Sequence, residues 1–379
     1  MMKKCSFFID WRVFNNDKSS NGRQINRVKV TMILAAGLFL SGCESEETGE
    51  QGDGGDSREE ITGETIAENL DVPWNIAQTN GTFYITERDG MIAEIDSAGD
   101  IQREPVKTEE AILSRGEGGL LGMVMKEDFA DNGEAIVYHT YEAEDGSIMN
   151  RIVTVQKEEG EWSETGVLLD EIPGAAIHNG GRLEIGPDGY LYAATGDADE
   201  PDWSQNRDNH AGAILRMTLD GEIPGDNPFP DSYIYSYGHR NPQGMTWLDD
   251  VMYSTEHGPV AQDEINVIEP GRNYGWPVIS GDETEEGMET PLVHSGQDTW
   301  APSGMTIFEG RILFAGLRGE ALYELDPEEE GISLVYDGAG RIRDVWSDGE
   351  YLYAITSNTD GRGDPVEGDD RLIRLTVNQ

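Results

Sequence analysis

Cysteine is nearly absent from this sequence of 379 residues. The only two are Cys5 and Cys43, so the body of the chain has none. A disulfide-stabilised fold is therefore excluded after residue 43. The sequence also lacks an HExxH motif and any closely spaced pair of histidines, which argues against a zinc site.

Basic residues are scarce as well. Lysine and arginine together number 27, against 74 aspartates and glutamates, and the formal net charge is −47. Phosphate backbones and anionic lipid surfaces repel a chain this acidic. We therefore expect no nucleic-acid partner, and we expect membrane association only through a covalent anchor.

Long apolar runs are limited to residues 28–40, VKVTMILAAGLFL. The run is too short to span a bilayer comfortably, follows a basic region and leads into LSGC at positions 40–43. These are the parts of a secretory signal, and LSGC resembles the bacterial lipobox. We predict a lipoprotein signal peptide over residues 1–42 and lipidation of Cys43. The alternative is an uncleaved anchor followed by a free thiol.

The segment that follows, residues 43–60, is acidic and rich in glycine. It has too few apolar side chains to bury a core and is predicted to be a disordered tether. Together with Cys43, it predicts an extracytoplasmic protein that is lipid-anchored to the outer face of a bacterial cell membrane.

Beyond this tether, no convincing helical periodicity is present. Short apolar runs alternate with Gly, Asp and Asn, which is typical of strands and turns. A unit of turn, strand, loop and strand recurs six times, at intervals of 39 to 61 residues. Its turns lie at Gly81, Gly133, Gly189, Asp250, Gly310 and Gly349.

The repeat predicts that residues 61–379 form an all-β domain, a six-bladed β-propeller of four-stranded antiparallel sheets. A β-sandwich is the alternative, but it does not predict a repeating unit of this length. Four tyrosines within the repeated strands are expected in the core: Tyr192, Tyr253, Tyr323 and Tyr353.

Polar residues in the loops are the candidates for chemistry, because propellers bind ligands at the mouth of the central channel. His178 precedes the strand-like RLEIG, and Asp197 ends the next strand-like run, LYAATGD. A hairpin could bring the two together, and a histidine oriented by a carboxylate can act as a general base. A histidine satisfied by the backbone of a turn is the alternative.

Arginines mark several other predicted corners. Arg240 lies in GHRNPQGM, Arg318 in AGLRGE, and Arg341 and Arg343 in GRIRDVW. If they converge, these four would form a site for an anion with several carboxylates. For Arg240, a surface salt bridge is the alternative interpretation. His239, beside Arg240, is a weaker candidate for the chemistry.

Oxygen donors are concentrated in EHGPVAQDEINVIEPGRNYGWP. Gly258 and Pro259 would expose carbonyl groups in a tight turn, Asp263 and Glu264 supply carboxylates, and Tyr274 offers a carbonyl. Donor sets that contain only oxygen suit calcium. Solvated surface carboxylates are the alternative.

Five motifs occur in an order that resembles the soluble PQQ-dependent glucose dehydrogenases, and more closely the related PQQ-dependent aldose sugar dehydrogenases. Over most of residues 70–360 they read GEGGLLGM, HNGGRLEIGPDGYLYAATGD, GHRNPQGM, EHGP with DEIN and NYGWP, and GRIRDVW. The resemblance implies PQQ- and calcium-dependent oxidation of an aldose at C1 to the lactone, with an electron acceptor that the sequence does not identify.

The resemblance also implies roles for individual residues. His178 would be the general base, supported by Asp197, and Arg240 would polarise the quinone. The implied cofactor contacts are Glu117, Arg240, Asn241, Arg318, Arg341, Arg343 and Thr356. Gly258 and Pro259 would bind the calcium ion that also binds the cofactor, and Glu264 and Tyr274 would belong to a second, structural calcium site.

Two positions depart from the glucose dehydrogenase pattern: Glu117 replaces a glutamine and Arg318 replaces a lysine. An unpaired carboxylate at Glu117 would face an anionic ligand. Trp300 is a candidate platform for the sugar, or a buried aromatic. Two other functions stay open on the residues alone: a calcium-dependent lactonase or esterase, and a non-catalytic propeller that binds a sugar or a protein.

Overall fold

A computed structural model describes residues 60–378, without the side chains of Glu60, Val377 and Asn378. The predicted signal peptide over residues 1–42, the predicted lipidation of Cys43 and the predicted tether as far as residue 59 lie outside the described residues. Glu60, the last residue of the predicted tether, begins the first strand.

Residues 60–378 contain twenty-four strands. The first twelve are β1 (Glu60–Ala67), β2 (Pro73–Thr79), β3 (Thr82–Glu87), β4 (Met91–Ile95), β5 (Ile101–Lys107), β6 (Leu120–Met125), β7 (Glu134–Glu142), β8 (Ile148–Glu158), β9 (Glu161–Pro173), β10 (Leu183–Ile185), β11 (Leu191–Ala194) and β12 (Ala213–Met217). The others are β13 (Ile234–Tyr237), β14 (Pro242–Leu248), β15 (Val251–Glu256), β16 (Glu264–Ile268), β17 (Val293–His294), β18 (Pro302–Phe308), β19 (Arg311–Gly316), β20 (Ala321–Asp326), β21 (Gly331–Asp337), β22 (Ile342–Ser347), β23 (Leu352–Thr356) and β24 (Leu372–Asn378).

Helical structure in this part of the chain is limited to α1 (Phe129–Asn132) and a 3₁₀ helix, Pro201–Gln205. Neither these nor any other described residues form a helix with the length and apolar character needed to cross a membrane.

The strands of residues 60–378 form four four-stranded sheets and one eight-stranded sheet. Three of the smaller sheets use consecutive strands, β10–β13, β14–β17 and β18–β21. The fourth has the order β1-β24-β23-β22, so antiparallel pairing of β1 with β24 joins the two ends of the described chain.

The eight-stranded sheet consists of two antiparallel four-strand runs, β2–β5 and β6–β9. They meet through a short parallel contact between β5 and β9, in which Val106 faces Trp162 and Lys107 faces Ser163.

The six turns predicted from the repeat all lie between the first and second strands of a four-strand run, and all six residues have φ between 66° and 89°. In three of them the preceding residue, Asn80, Asp249 or Glu309, also has positive φ. Two such residues in succession match the twist of an antiparallel hairpin. Glycine adopts this conformation without steric cost, which is why it marks five of the six turns.

Six hydrophobic clusters fill the spaces between neighbouring four-strand runs of the described residues. Five clusters draw on two runs each, and one combines β6–β9 and β10–β13 with Trp74 of β2. Another joins β22–β24 and β1 to β2–β5, for example through Tyr353 and Phe83. The series is therefore cyclic, unlike the two facing layers of a sandwich. The four tyrosines predicted in the core all pack within or against these clusters.

The first strands of five runs line a polar cavity of about 290 Å³. Arg182 and Asp344 form a buried ion pair in its wall, with Nη2 3.1 Å from Oδ1. Glu184, on β10, also lines the cavity. Desolvation raises the pKa of Glu184 from its ordinary 4.5 to about 8; Arg182 opposes this shift and Asp344 adds to it.

Replacing Glu184 tests this electrostatic account. Between about pH 4.5 and pH 8 the folded protein keeps a proton on Glu184 that the unfolded chain has lost, so stability falls as pH rises. We expect Glu184→Gln to remove this part of the pH dependence of the free energy of unfolding, measured by urea denaturation. The exposed Glu328→Gln is the matched control; equal effects of both variants would contradict the account.

Candidate active site

The predicted functional residues are carried by loops that neighbour one another. His178 lies between β9 and β10, Asp197 follows β11, and Arg240 lies between β13 and β14. The β10–β11 hairpin pairs Leu183 with Ala193, which brings the loops that flank its strands together at one end.

His178 and Asp197 form a hydrogen-bonded pair. Nδ1 of His178 is 2.8 Å from Oδ1 of Asp197, whose side chain is completely buried. On the other side of the ring, Nη2 of Arg240 is 3.0 Å from Nε2 of His178. A guanidinium can only donate, so Nε2 carries the lone pair and Nδ1 carries the proton that it donates to Asp197. This is the tautomer that a base acting at Nε2 requires.

The loop that carries His178 is unusual in its backbone. His178 itself has a φ of 57°, and two glycines with positive φ follow it, Gly180 and Gly181. Gly196, beside Asp197, lies so close that a Cβ atom there would be 1.9 Å from the carbonyl oxygen of His178. The NGG and TGD segments therefore allow two loops to approach at a distance that a larger residue would prevent.

Glu117 and Asn241 hold this loop from either side. The Glu117 carboxylate accepts the backbone N–H of His178 at 3.0 Å and pairs with Arg362 at 2.8 Å. Burial alone would raise the pKa of Glu117, but these two partners lower it to about 2. Asn241 accepts the N–H of Gly180 at 3.0 Å. The carboxylate that departs from the glucose dehydrogenase pattern is thus ionised and paired.

Two of the predicted arginines, Arg341 and Arg343, are buried close to each other. Arg341 is paired with Asp360 at 2.9 Å. Nη1 of Arg343 donates to the side chains of Gln243 and Ser303. Burial lowers the pKa of Arg343 to about 9, and the neighbouring arginines add to this effect.

Two further cations near this cluster were not predicted from the sequence, Arg88 and Arg362. Arg88 donates to the carbonyl of Gly116 at 2.6 Å, and burial lowers its pKa. Arg88 occurs in TERDG and Arg362 in DGRGD, at the end of a strand and in a turn respectively. The scarcity of basic residues was the one signal that could have drawn attention to both.

Several donors in this region have no partner among the described residues. They are buried and include Nε of Arg88, Nε of Arg240, Nε of Arg343 and Nε2 of His257. His257 was also not predicted as a site residue, although it lies in the EHGP motif. Its carbonyl accepts a hydrogen bond from Nη1 of Arg240 at 3.1 Å. Unsatisfied buried donors are costly, so this is a place where an acceptor-rich ligand would be stabilised.

Two of the predicted cofactor contacts, Arg318 and Thr356, differ in their surroundings. The Arg318 side chain is exposed and forms no hydrogen bond or ion pair with another described residue, because the residue lies in a turn that projects from the end of β19. The Thr356 hydroxyl is buried and already bonded to Asp370 and to the N–H of Arg371. It therefore supports a loop, and the cofactor contacts of Arg318 and Thr356 stay predictions.

The predicted calcium ligands line one small cavity that includes Gly258, Pro259, Glu264 and Tyr274. Within residues 60–378, the carbonyl oxygens of Gly258 and Pro259 accept no hydrogen bond. Asp263 is different, since its carboxylate accepts four hydrogen bonds that shape this loop and a neighbouring one. It is therefore a structural residue and not a free ligand.

Glu264 lies opposite Glu256 in the β15–β16 pairing, and both are buried. Burial and the charge of Glu256 raise the pKa of Glu264. The described residues contain no convergent group of three or more His, Cys, Asp or Glu side chains. A metal ion at this cavity would therefore depend largely on carbonyl oxygens.

Two aromatic residues near the site have structural contacts. His239 is completely buried, bonds to Ser236 and Glu256, and stacks on Tyr274 with ring centroids 4.7 Å apart. The Tyr274 hydroxyl donates to the carbonyl of Val267, and within residues 60–378 no hydrogen bond is made to the Tyr274 carbonyl. Trp300 is half-buried against Phe314, and its backbone N–H donates to Asp263.

The arrangement of loops and strands is that of a known family. The model for the glucose/sorbosone dehydrogenases matches residues 70–374 of this chain. The chain belongs to this family.

Relatives of this family member include several sugar dehydrogenases. The aldose sugar dehydrogenase YliI of Escherichia coli is 30% identical over 339 residues, which cover 79% of this chain and 90% of that protein. The quinoprotein glucose dehydrogenase B of Acinetobacter calcoaceticus is 31% identical over 237 residues, 54% of this chain and 50% of that protein.

Among solved structures, the PQQ-bound aldose sugar dehydrogenase of Streptomyces coelicolor superposes on this family member with a TM-score of 0.77. It is 36% identical and covers 83% of this chain and 98% of its own. The family resemblance predicted from the five motifs is confirmed.

Gly196→Ala tests the close approach of the two loops. The added methyl group would contact the carbonyl of His178, so we expect displacement of the His178 loop and a loss of stability of about 1–3 kcal/mol. Thermal unfolding and the chemical shifts of the His178 ring would report both effects. Gly225→Ala is the control, since a Cβ there meets nothing within 4 Å. Unchanged His178 signals in Gly196→Ala would refute the steric argument.

Proposed function

We propose that this protein oxidises aldose sugars at C1 to the lactone, with PQQ as the bound oxidant and calcium as a second cofactor. The observation that carries the proposal is the position of His178 between Asp197 and Arg240, with its Nε2 lone pair facing a guanidinium. A general base oriented by a carboxylate, beside a partly buried cation, suits the removal of a proton from a sugar hydroxyl.

The residues present fit PQQ. It is a flat quinone with three carboxylates, and this end of the molecule holds Arg88, Arg240, Arg341 and Arg343, of which three have an unpaired buried Nε–H. Acceptor oxygens would satisfy these donors, and charge-assisted bonds would offset the desolvation of the arginines. The PQQ-bound state of the Streptomyces coelicolor relative supports the same ligand here.

The donors near Gly258 fit calcium in the same way. The unpaired carbonyls of Gly258 and Pro259 would hold the ion that also contacts the cofactor. Glu264 and the Tyr274 carbonyl would contribute to a structural ion, whose charge would offset the repulsion between Glu256 and Glu264.

The chain's own residues divide the chemistry among them. His178 Nε2 takes the proton of the anomeric hydroxyl, and Asp197 stabilises the imidazolium that forms. Arg240, held by the His257 carbonyl, supplies positive charge where negative charge develops. When bound, PQQ accepts the hydride from C1 and calcium makes it a better acceptor. Glu117 holds the backbone of His178 in place by accepting its N–H.

Two finer features belong to the same proposal. The two halves of the eight-stranded sheet count as separate blades, which gives a six-bladed propeller; the cyclic series of six hydrophobic clusters supports this count. The mature protein begins at Cys43 and is lipid-anchored outside the cell, as the LSGC segment indicates.

Reconstitution tests the reaction. Apoprotein supplied with PQQ and calcium should reduce a dye in the presence of aldoses, and His178→Ala should lower kcat by about 10²–10⁴-fold while it leaves PQQ affinity nearly unchanged. Arg343→Lys should instead weaken PQQ binding, measured by fluorescence titration. Bound PQQ without dye reduction by any aldose would refute the proposal, and calcium-dependent lactone hydrolysis without PQQ would favour a lactonase.

The anchor is tested separately in a bacterial host. Wild-type protein should partition into detergent and incorporate labelled palmitate, whereas Cys43→Ser should do neither; Cys5→Ser is the matched control. Label incorporation that persists in Cys43→Ser would show that the anchor lies elsewhere.

A further inference from the structure

Trp276 comes from a different sheet from the catalytic pair, yet its indole contacts that pair. It lies in the connection between β16 and β17, and its Nε1–H donates to Oδ2 of Asp197 at 2.8 Å. The two residues are 79 positions apart.

The backbone of Trp276 is fixed on both sides. Its N–H donates to the carbonyl of Gly238 at 2.9 Å, and its carbonyl accepts Nε2 of Gln205 at 2.7 Å. Two residues earlier, the N–H of Tyr274 donates to the carbonyl of Tyr237 at 2.8 Å. The indole is therefore presented by a rigid segment that runs beside β13.

The bond to Asp197 completes the coordination of a buried carboxylate. Oδ1 accepts Nδ1–H of His178 and the backbone N–H of Asp199, at 2.8 and 2.9 Å. Oδ2 accepts one hydrogen bond from the described residues, and its donor is the indole N–H of Trp276. Without it, one oxygen of a fully buried charge would be unsatisfied, and the carboxylate could rotate away from His178.

The same ring also supports Arg240. The guanidinium carbon lies 5.3 Å from the ring centroid of Trp276, within the range of cation–π attraction. Arg240 in turn donates to Nε2 of His178. A single indole thus contacts both of the groups that determine which nitrogen of His178 carries the proton.

We propose that Trp276 is a positioning residue for the sugar oxidation: it orients Asp197 and Arg240 around His178 and so maintains the tautomer in which Nδ1 carries the proton and Nε2 the lone pair. This role rests on the proposed function of His178 as the base. Trp276 itself accepts no proton in the reaction and acts through its neighbours.

Trp276→Phe separates the two contacts, because it keeps an aromatic face for Arg240 and removes the N–H. In ¹⁵N NMR spectra of the apoprotein, we expect a smaller fraction of the Nδ1–H tautomer of His178. In reconstituted enzyme, kcat should fall at least about 10-fold, with KM for the aldose and PQQ affinity within about 2-fold. Trp276→His, which retains a ring N–H, should recover part of the loss.

Trp247→Phe is the matched control, since Trp247 is a partly buried tryptophan of β14 that packs on Tyr192 away from His178. It should leave the tautomer and kcat unchanged. An unaltered tautomer and kcat in Trp276→Phe, or equal effects of both variants, would overturn the proposal.

Two outcomes need separate readouts. If Trp276→Phe does not fold, the NMR spectrum of the wild-type protein provides the test. The signal of the Trp276 indole proton should exchange slowly with solvent and should change its chemical shift as His178 is protonated. Rapid exchange without a change in chemical shift would overturn the role. If the wild type oxidises no aldose, the proposed function fails, whereas the tautomer measurement on apoprotein still tests the contact.

Discussion

The antiparallel pairing of β1 with β24 is the contact on which the arrangement of the sheets depends. It places the first strand of the described chain in the sheet built from the last three. That composite sheet supplies one side of two hydrophobic clusters, one shared with β18–β21 and the other with β2–β5. Without this sheet, the runs β18–β21 and β2–β5 would each expose an apolar face. The pairing of β1 with β24 therefore stabilises both neighbouring runs.

This closed arrangement brings loops from separate runs to one end, where Arg88, Arg240, Arg341 and Arg343 lie near one another. The sequence has 27 basic residues against 74 acidic ones, so carboxylate partners for arginines are plentiful. Arg240 and Arg343 form no salt bridge with a described residue, and each has an unpaired buried Nε–H. Such groups reduce stability, and the cost is understandable where they await a polyanionic ligand.

The fold could be predicted well from the sequence, and the site only in part. The six turns were recognisable because positive φ is a local requirement that glycine meets. The pairing of His178 with Asp197 followed from one hairpin. The cofactor contacts of Arg318 and Thr356 were assigned by resemblance and stay predictions, and the sequence showed neither the exposure of Arg318 nor the bond of Thr356 to Asp370.

The role of Glu117 also could not be predicted from the sequence. In the sequence it is an extra carboxylate near an anionic ligand; in the structure it is paired with Arg362 and holds the backbone of His178, 61 residues away. Arg88, His257 and Trp276 were assigned no role from the sequence, and only their neighbours in the structure give them one.

The sequence by itself determined the repeat, the family and the residue types available for the chemistry, because these follow from local periodicity and short motifs. Tertiary structure decided which of those residues meet. The proton position on His178 depends on Asp197 from its own hairpin, Arg240 from the next corner and Trp276 from the next sheet. Hydrogen bonds between loops that are distant in sequence are fixed only when the sheets pack around one axis.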